Sequence, residues 1–236
     1  MKRPNVLLAV FFLVACAQTQ ADFYSHKYGG IGYGNTELQG FCNGAAVFVR
    51  NLNSSGQTAS ASACGEKGDS WKIYTGWRWT PYMAVEASYQ QLAKADLDFR
   101  IDATNGEFLQ FEDRIKTHLL NAFIVGHCPL FEGLSLFGKL GGGLWSAELS
   151  ERQSGQLLFA YPVAEDEVET RLEEVSGKAY DSDNGFHWGY GFGIDYRYRN
   201  KWTLRAEWES FTEVGSDSFR SDFDAQSATL GWSMHF

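Results

Sequence analysis

The sequence predicts an all-β chain that closes as an eight-stranded antiparallel transmembrane β-barrel, an up-and-down meander with long external loops and short periplasmic turns. Three observations carry that prediction. Several segments alternate apolar with polar or small side chains at period two, the pattern of a strand with one face in lipid and one in a lumen. Aromatic residues are abundant, with 8 Trp, 11 Tyr and 18 Phe, and Trp and Tyr gather on the apolar side of those segments. The connections between them alternate between short and long.

The strands follow in order. Tyr28 to Leu38 gives the first. In Trp71 to Trp79 one face carries Trp71, Ile73, Trp77 and Trp79, and the other Lys72, Tyr74, Gly76 and Arg78. After the Thr80-Pro81 turn, Met83, Val85, Ala87 and Tyr89 oppose Ala84, Glu86, Ser88 and Gln90. Arg114 to Cys128 supplies a fourth strand whose facing the sequence leaves open. Leu134, Leu136, Gly138 and Leu140 alternate with Ser135, Phe137, Lys139 and Gly141. Phe186 to Tyr198 sets aromatics against His187, glycines, Asp195 and Arg197. Trp202, Leu204, Ala206 and Trp208 oppose Thr203, Arg205, Glu207 and Glu209, and Ala228, Leu230, Trp232, Met234 and Phe236 close the last strand.

A soluble sandwich also alternates. Here the apolar face gathers Trp and Tyr near strand ends, as membrane girdles do, while the other face mixes Gly with charges of both signs, as a narrow lumen does. Thr80-Pro81, Pro129 to Gly133 and Asn200-Lys201 read as short turns. Gln39 to Asp69, Ala95 to Asp113, Leu149 to Asn184 and Gly215 to Asp224 read as long loops. The net charge of -9 excludes a nucleic-acid partner, which needs a basic stripe.

The N-terminus predicts export. Met1-Lys2-Arg3 is a basic start, Val6 to Ala15 an apolar core too short to span a bilayer, and Thr19-Gln20-Ala21 offers small residues for cleavage. The expected organisation is a signal peptide over residues 1–21 and a barrel domain over 22–236. Leu13-Val14-Ala15-Cys16 also resembles a lipobox, although a barrel needs no lipid anchor. With Cys16 removed, Cys42, Cys64 and Cys128 remain. Cys42 and Cys64 flank a stretch rich in Asn, Ser and Gly and are expected to pair in the oxidising exterior, leaving Cys128 free.

The motifs Tyr28-Gly-Gly-Ile-Gly-Tyr33, Trp71-Lys-Ile-Tyr-Thr-Gly-Trp77, Tyr82-Met-Ala-Val-Glu-Ala-Ser-Tyr89 and Leu134-Ser-Leu-Phe-Gly-Lys-Leu-Gly141 resemble the OmpA-like transmembrane barrel family of Gram-negative bacteria. The resemblance implies residence in the outer membrane, contact with its lipid and lipopolysaccharide, and a plugged polar lumen. It also implies insertion by the outer-membrane assembly machinery, which reads a terminal pattern matched by Leu230, Trp232, Met234 and Phe236. The chain stops at Phe236, so no peptidoglycan-binding domain and no cell-wall anchoring are expected.

Glu86 matches the family's lumen glutamate, with Lys72, Arg78, Lys139, Arg197 and Arg205 as its expected partners, and Asp195 and Glu207 complete the expected lumen charge network. Such charges stabilise the interior or gate a small ion path. The acidic stretch Glu165 to Val175 reads as a solvated loop, with a short amphipathic helix or a cation site as alternatives. His187 and His118, with Ser88 or Ser146, are the residues a lipid A-modifying enzyme would use, but none stands in a motif with a carboxylate. No catalytic, metal or cofactor residue is expected. The expected role is structural, adhesin-like or surface-interacting, with an external receptor for the long loops. A small gated channel is the alternative.

Overall fold

The computed structural model describes residues 26–103, 105–164, 167–199, 201–216 and 221–236, and the expected signal segment and Cys16 lie outside them. Strand β1 (His26–Gln39) leads into helix α1 (Phe41–Ser54) and then β2 (Thr58–Gly65), β3 (Lys67–Arg78), β4 (Met83–Gln91) and β5 (Ala95–Asp102). The long strands β6 (Phe108–Phe131), β7 (Leu134–Ala164) and β8 (Glu167–Tyr198) follow, then β9 (Trp202–Ser216) and β10 (Ser221–His235). Every pairing is antiparallel. Eight strands close a ring in the order β1-β3-β4-β6-β7-β8-β9-β10, with β10 returning to β1. Closure leaves no unpaired edge at membrane depth. Among the described residues no helix is long and apolar enough to cross a membrane.

Period-two alternation sets the two faces. Lys72, Tyr74, Glu86, Ser88, Lys139, Arg205 and Glu207 are buried inside the ring, while Ile31, Ile73, Leu140, Leu204 and Leu230 stand exposed outside it. Aromatic pairs bracket this apolar belt. Tyr198 and Trp202 meet near the turn end at 5.0 Å, as do Trp77 and Trp79 at 5.8 Å. Phe186 and Trp188 meet towards the other end at 5.0 Å, and Trp71 with Tyr89 at 5.7 Å. Such girdles flank a belt of roughly 25 Å in membrane barrels.

The turns are tight for identifiable reasons. Thr80 Oγ1 accepts the N–H groups of Tyr82 and Met83 at 3.2 and 3.0 Å, closing the β3–β4 turn. Gly133 takes a left-handed φ of 83° between β6 and β7, where a Cβ would lie 2.6 Å from the Arg197 carbonyl oxygen. Pro129 to Phe131 continue β6 across a bulge, so that turn is shorter than expected.

The expected long loops are largely ordered. Gln39 to Asp69 contains α1 and β2, and Ala95 to Asp113 contains β5 and the start of β6. Leu149 to Asn184 is not a loop: β7 and β8 run on as one hairpin of 31 and 32 residues. Residues 167–175 of the acidic stretch are therefore strand, neither loop nor helix, and Glu165 and Asp166 lie outside the described residues. Cross-strand pairing to residues 155–164 overrides the helical spacing of Val168, Leu172 and Val175. Beyond the ring, β2, β5, β6, β7 and β8 form one sheet.

The facing of β6 is also settled. Ile115, Leu119, Phe123, Val125 and His127 point inward, and Leu120 and Ile124 outward. The interior towards the long-strand end is thus apolar, a cluster that includes Leu38, Leu97, Trp145, Phe211 and Phe223. Helix α1 roofs it with Phe41, Ala45 and Val49. The helix touches β10 and β5, and because β5 extends β6 it bridges opposite sides of the ring. The buried inward side chains thus run from a polar waist to this apolar roof.

Candidate functional site: the lumen and the external sheet

The lumen charges meet at the waist. Lys72 pairs with Glu207 and, at 2.8 Å, with Glu209. Lys139 lies 2.8 Å from Glu207, 2.5 Å from Glu209 and 3.5 Å from Glu86. Arg205 Nη1 donates to Glu86 Oε2 at 2.6 Å, and the Tyr28 hydroxyl donates to the same oxygen at 3.0 Å. Three cations thus balance three carboxylates, all buried. Charges taken out of water at this density hold only when each is paired and hydrogen-bonded, because leaving one alone costs several kcal/mol.

Arg78, Asp195 and Arg197 share the inner face but stand in the neighbouring layer, towards the short turns. Arg78 caps the β3–β4 turn by donating to the Pro81 carbonyl. Asp195 pairs with His127 at 3.2 Å. Glu209, absent from the expected set, belongs to the main network. It lies two residues after Glu207 on the same face, which the alternation of β9 makes readable. Tyr28 and His127 carried no such signal.

A family model described as outer membrane protein beta-barrel domain matches residues 6–236. The chain belongs to this family. The protein is accordingly an outer-membrane barrel, its short turns periplasmic and its long strands external. Solved structures of similar course include Ail, the attachment invasion locus protein of Yersinia pestis, at 13% identity and a TM-score of 0.45, covering 90% of this chain and 99% of that one. Neisserial surface protein A matches at 12% identity and 0.40, covering 92% and 100%. The N-terminal barrel domain of Pseudomonas aeruginosa OprF matches at 12% and 0.39, also covering 92% and 100%. No curated protein sequence matches the chain significantly.

The two candidate histidines of this outer-membrane barrel sit in separate settings. His187 is buried in the lumen, where its Nε2 shares a 2.7 Å hydrogen bond with Asn121 Oδ1, and Asn121 Nδ2 donates to Ser88 Oγ at 3.1 Å. An amide thus stands where an acid–base relay would place a carboxylate. His118 lies on the outer face, stacked on Tyr89 and hydrogen-bonded to its hydroxyl at 2.8 Å, opposite Ser146 in register. Among the described residues no group of His, Cys, Asp or Glu could hold a metal.

Cys42 and Cys64 are bonded at the external mouth, with Cα atoms 5.8 Å apart. Cys128, expected to be free, is disulfide-bonded as well. The expectation rested on an odd count of three cysteines after cleavage, and Cys16 lies outside the described residues. The Cys42–Cys64 bond ties the start of α1 to the end of β2, and at the helix's far end the Asn53 side chain exchanges hydrogen bonds of 2.9 and 2.6 Å with the Ala59 backbone. Closing a loop of 22 residues contributes about 3 kcal/mol in the chain-entropy picture. Because α1 roofs a barrel already closed by its ladder, that energy acts locally. A Cys42→Ser/Cys64→Ser variant should keep the gel mobility of the folded barrel while trypsin gains access to Arg50. Unchanged protection of Arg50 would show that the apolar face alone holds the roof.

At the C-terminus, the alternating residues Leu230, Trp232, Met234 and Phe236 face outward, and the Phe236 N–H donates to the Lys27 carbonyl at 3.0 Å. Phe236 therefore sits at the periplasmic rim of the β1–β10 seam.

Proposed function

We propose that this outer-membrane barrel is a non-catalytic surface protein whose barrel is a sealed anchor and whose working part is the external sheet. The observation that carries the reading is the β7–β8 hairpin. Past Leu149, β7 continues to Ala164, roughly 50 Å of strand at 3.3 Å per residue, far more than a bilayer crossing needs. Among the described residues β8 pairs with β9 only from Trp188 onward, so its external half, residues 167–187, is bonded on one side alone. A long ordered sheet with an open edge does nothing for the barrel below it, and open edges serve as recognition surfaces. The filled lumen supports the same reading, because it leaves the outside as the place for interaction.

The test removes the hairpin and spares the barrel. Joining Gln153 to Gly177, which are paired in register, through an Asn-Gly turn shortens the hairpin without disturbing the ladder beneath. Bacteria carrying this variant should insert a barrel of normal heat-modifiable mobility and lose attachment to cultured epithelial cells. Undiminished attachment by an inserted variant would overturn the proposal. A gated ion path is the competing reading, and the balanced ion pairs at the waist are what favour it.

A further inference from the structure

We infer that the periplasmic end of the lumen binds a small soluble oxyanion, phosphate or sulfate in kind, through Arg78, Arg197 and the histidines gathered with them. The strand ladder brings these residues to one level. Arg78 stands opposite His26, Tyr28 opposite His235, Arg197 opposite Thr203 and Asp195 opposite Ser135. The His127 N–H donates to the Tyr82 carbonyl at 2.7 Å, beside the turn that Arg78 caps. His26 and His235 meet edge-on at 6.3 Å, the Tyr28 ring lies 5.9 Å from His235, and His235 shares a 2.7 Å hydrogen bond with Thr203. Arg197, His26, Arg78 and Asp195 are all within electrostatic reach of His235, and Arg78, Asp195 and Arg205 of His127. Arg78, His127 and Asp195 are buried, whereas Arg197, His26 and His235 are half-buried, so the layer opens towards the periplasm.

Two observations identify the ligand class. The first is charge. At the waist three cations meet three carboxylates, but among the described inward side chains of this layer two guanidiniums and three imidazoles face one carboxylate, Asp195. A mouth lined mainly by one sign of charge concentrates the opposite ion. Guanidinium forks suit oxyanions, which accept two N–H bonds side by side. The second is unmet hydrogen bonding. His127 Nδ1 lies 3.2 Å from Asp195, while His127 Nε2, Asp195 Oδ1 and His235 Nδ1 are buried atoms without a hydrogen-bond partner among the described residues. Buried polar atoms are satisfied by a partner, a ligand or water. With Asp195 beside Nδ1, a protonated His127 offers its Nε2–H to an anion, so binding and proton uptake are coupled. Lipid headgroups meet the outer wall of the barrel, so the inner position selects a soluble ligand.

The test titrates sulfate, whose charge is constant near neutrality, into the protein in phosphatidylcholine nanodiscs at an ionic strength held with sodium chloride. Saturable shifts of the His127 and His235 ring-proton resonances are expected. Arg197→Gln should weaken binding about tenfold, the scale of one hydrogen bond to a charged group. Arg197→Lys, which keeps the charge and loses the fork, should fall between the two. Arg114→Gln on the external side should leave affinity unchanged, and heat-modifiable mobility should be normal for all three variants. Affinity should rise severalfold as the pH falls from about 8 to about 6, where histidine gains its proton. Shifts that chloride alone reproduces, equal affinity in the Arg197→Gln protein, or affinity flat with pH would overturn the inference. So would loss of sulfate binding when phosphatidylglycerol replaces phosphatidylcholine, which would assign the site to a lipid headgroup.

Discussion

Replacing Lys139 with methionine is expected to lower barrel stability by about 3–5 kcal/mol in a urea titration of protein refolded into lipid vesicles. Lys139 reaches Glu86, Glu207 and Glu209, so its loss leaves three carboxylates facing only Lys72 and Arg205. The ammonium is fully enclosed, and water cannot replace it. The loss is one of charge balance more than volume. The double variant Lys139→Met/Glu209→Gln returns the network to neutrality and should recover a large part of the stability. Recovery of this kind is the signature of coupled neighbours in a double-mutant cycle. A single variant within about 0.5 kcal/mol of the parent, the range of an ordinary surface substitution, would mean that the waist is hydrated and the pairs contribute little.

Leu140, the next residue, follows the opposite rule. It is exposed on the outer face, between the aromatic girdles. Leu140→Arg should therefore cost about 2–4 kcal/mol, the penalty for a cation facing the lipid midplane. Leu158 lies on the same strand and, by even spacing, on the same outer face, but roughly 60 Å farther along it at 3.3 Å per residue. There water is the solvent, and Leu158→Arg should change stability by less than about 0.5 kcal/mol. The same substitution at two exposed leucines thus reads the position of the membrane. Equal costs at the two sites would mean that the belt is misplaced.

These two residues also show how much the sequence discloses. Membrane strands carry two solvents on opposite faces, so period-two alternation displays the inward set Lys72, Glu86, Lys139, Arg205 and Glu207 in the sequence itself. Glu209 was visible by the same rule. The fourth strand resisted because its inner face is apolar, with Leu119, Phe123 and Val125 opposite outward Leu120 and Ile124, leaving no contrast to read. Outside the membrane both faces of the hairpin meet water, so residues 149–181 lost their alternation and resembled a loop. Helix α1 was hidden by its Asn, Ser and Gly content, and its docking depends on Phe99 and Phe223, remote in sequence.

A sealed anchor beneath a working exterior carries no current through a planar lipid bilayer. Lys72, Lys139 and Arg205 lock the waist against three carboxylates, and Phe41, Phe223 and Trp145 fill the space above. Purified barrel inserted with its Cys42–Cys64 bond intact should show no sustained channel steps above the bare-membrane leak, and Lys139→Met should raise conductance before any other lumen substitution does. Stable, ion-selective openings of the unmodified protein would contradict the sealed lumen and assign the barrel to conduction.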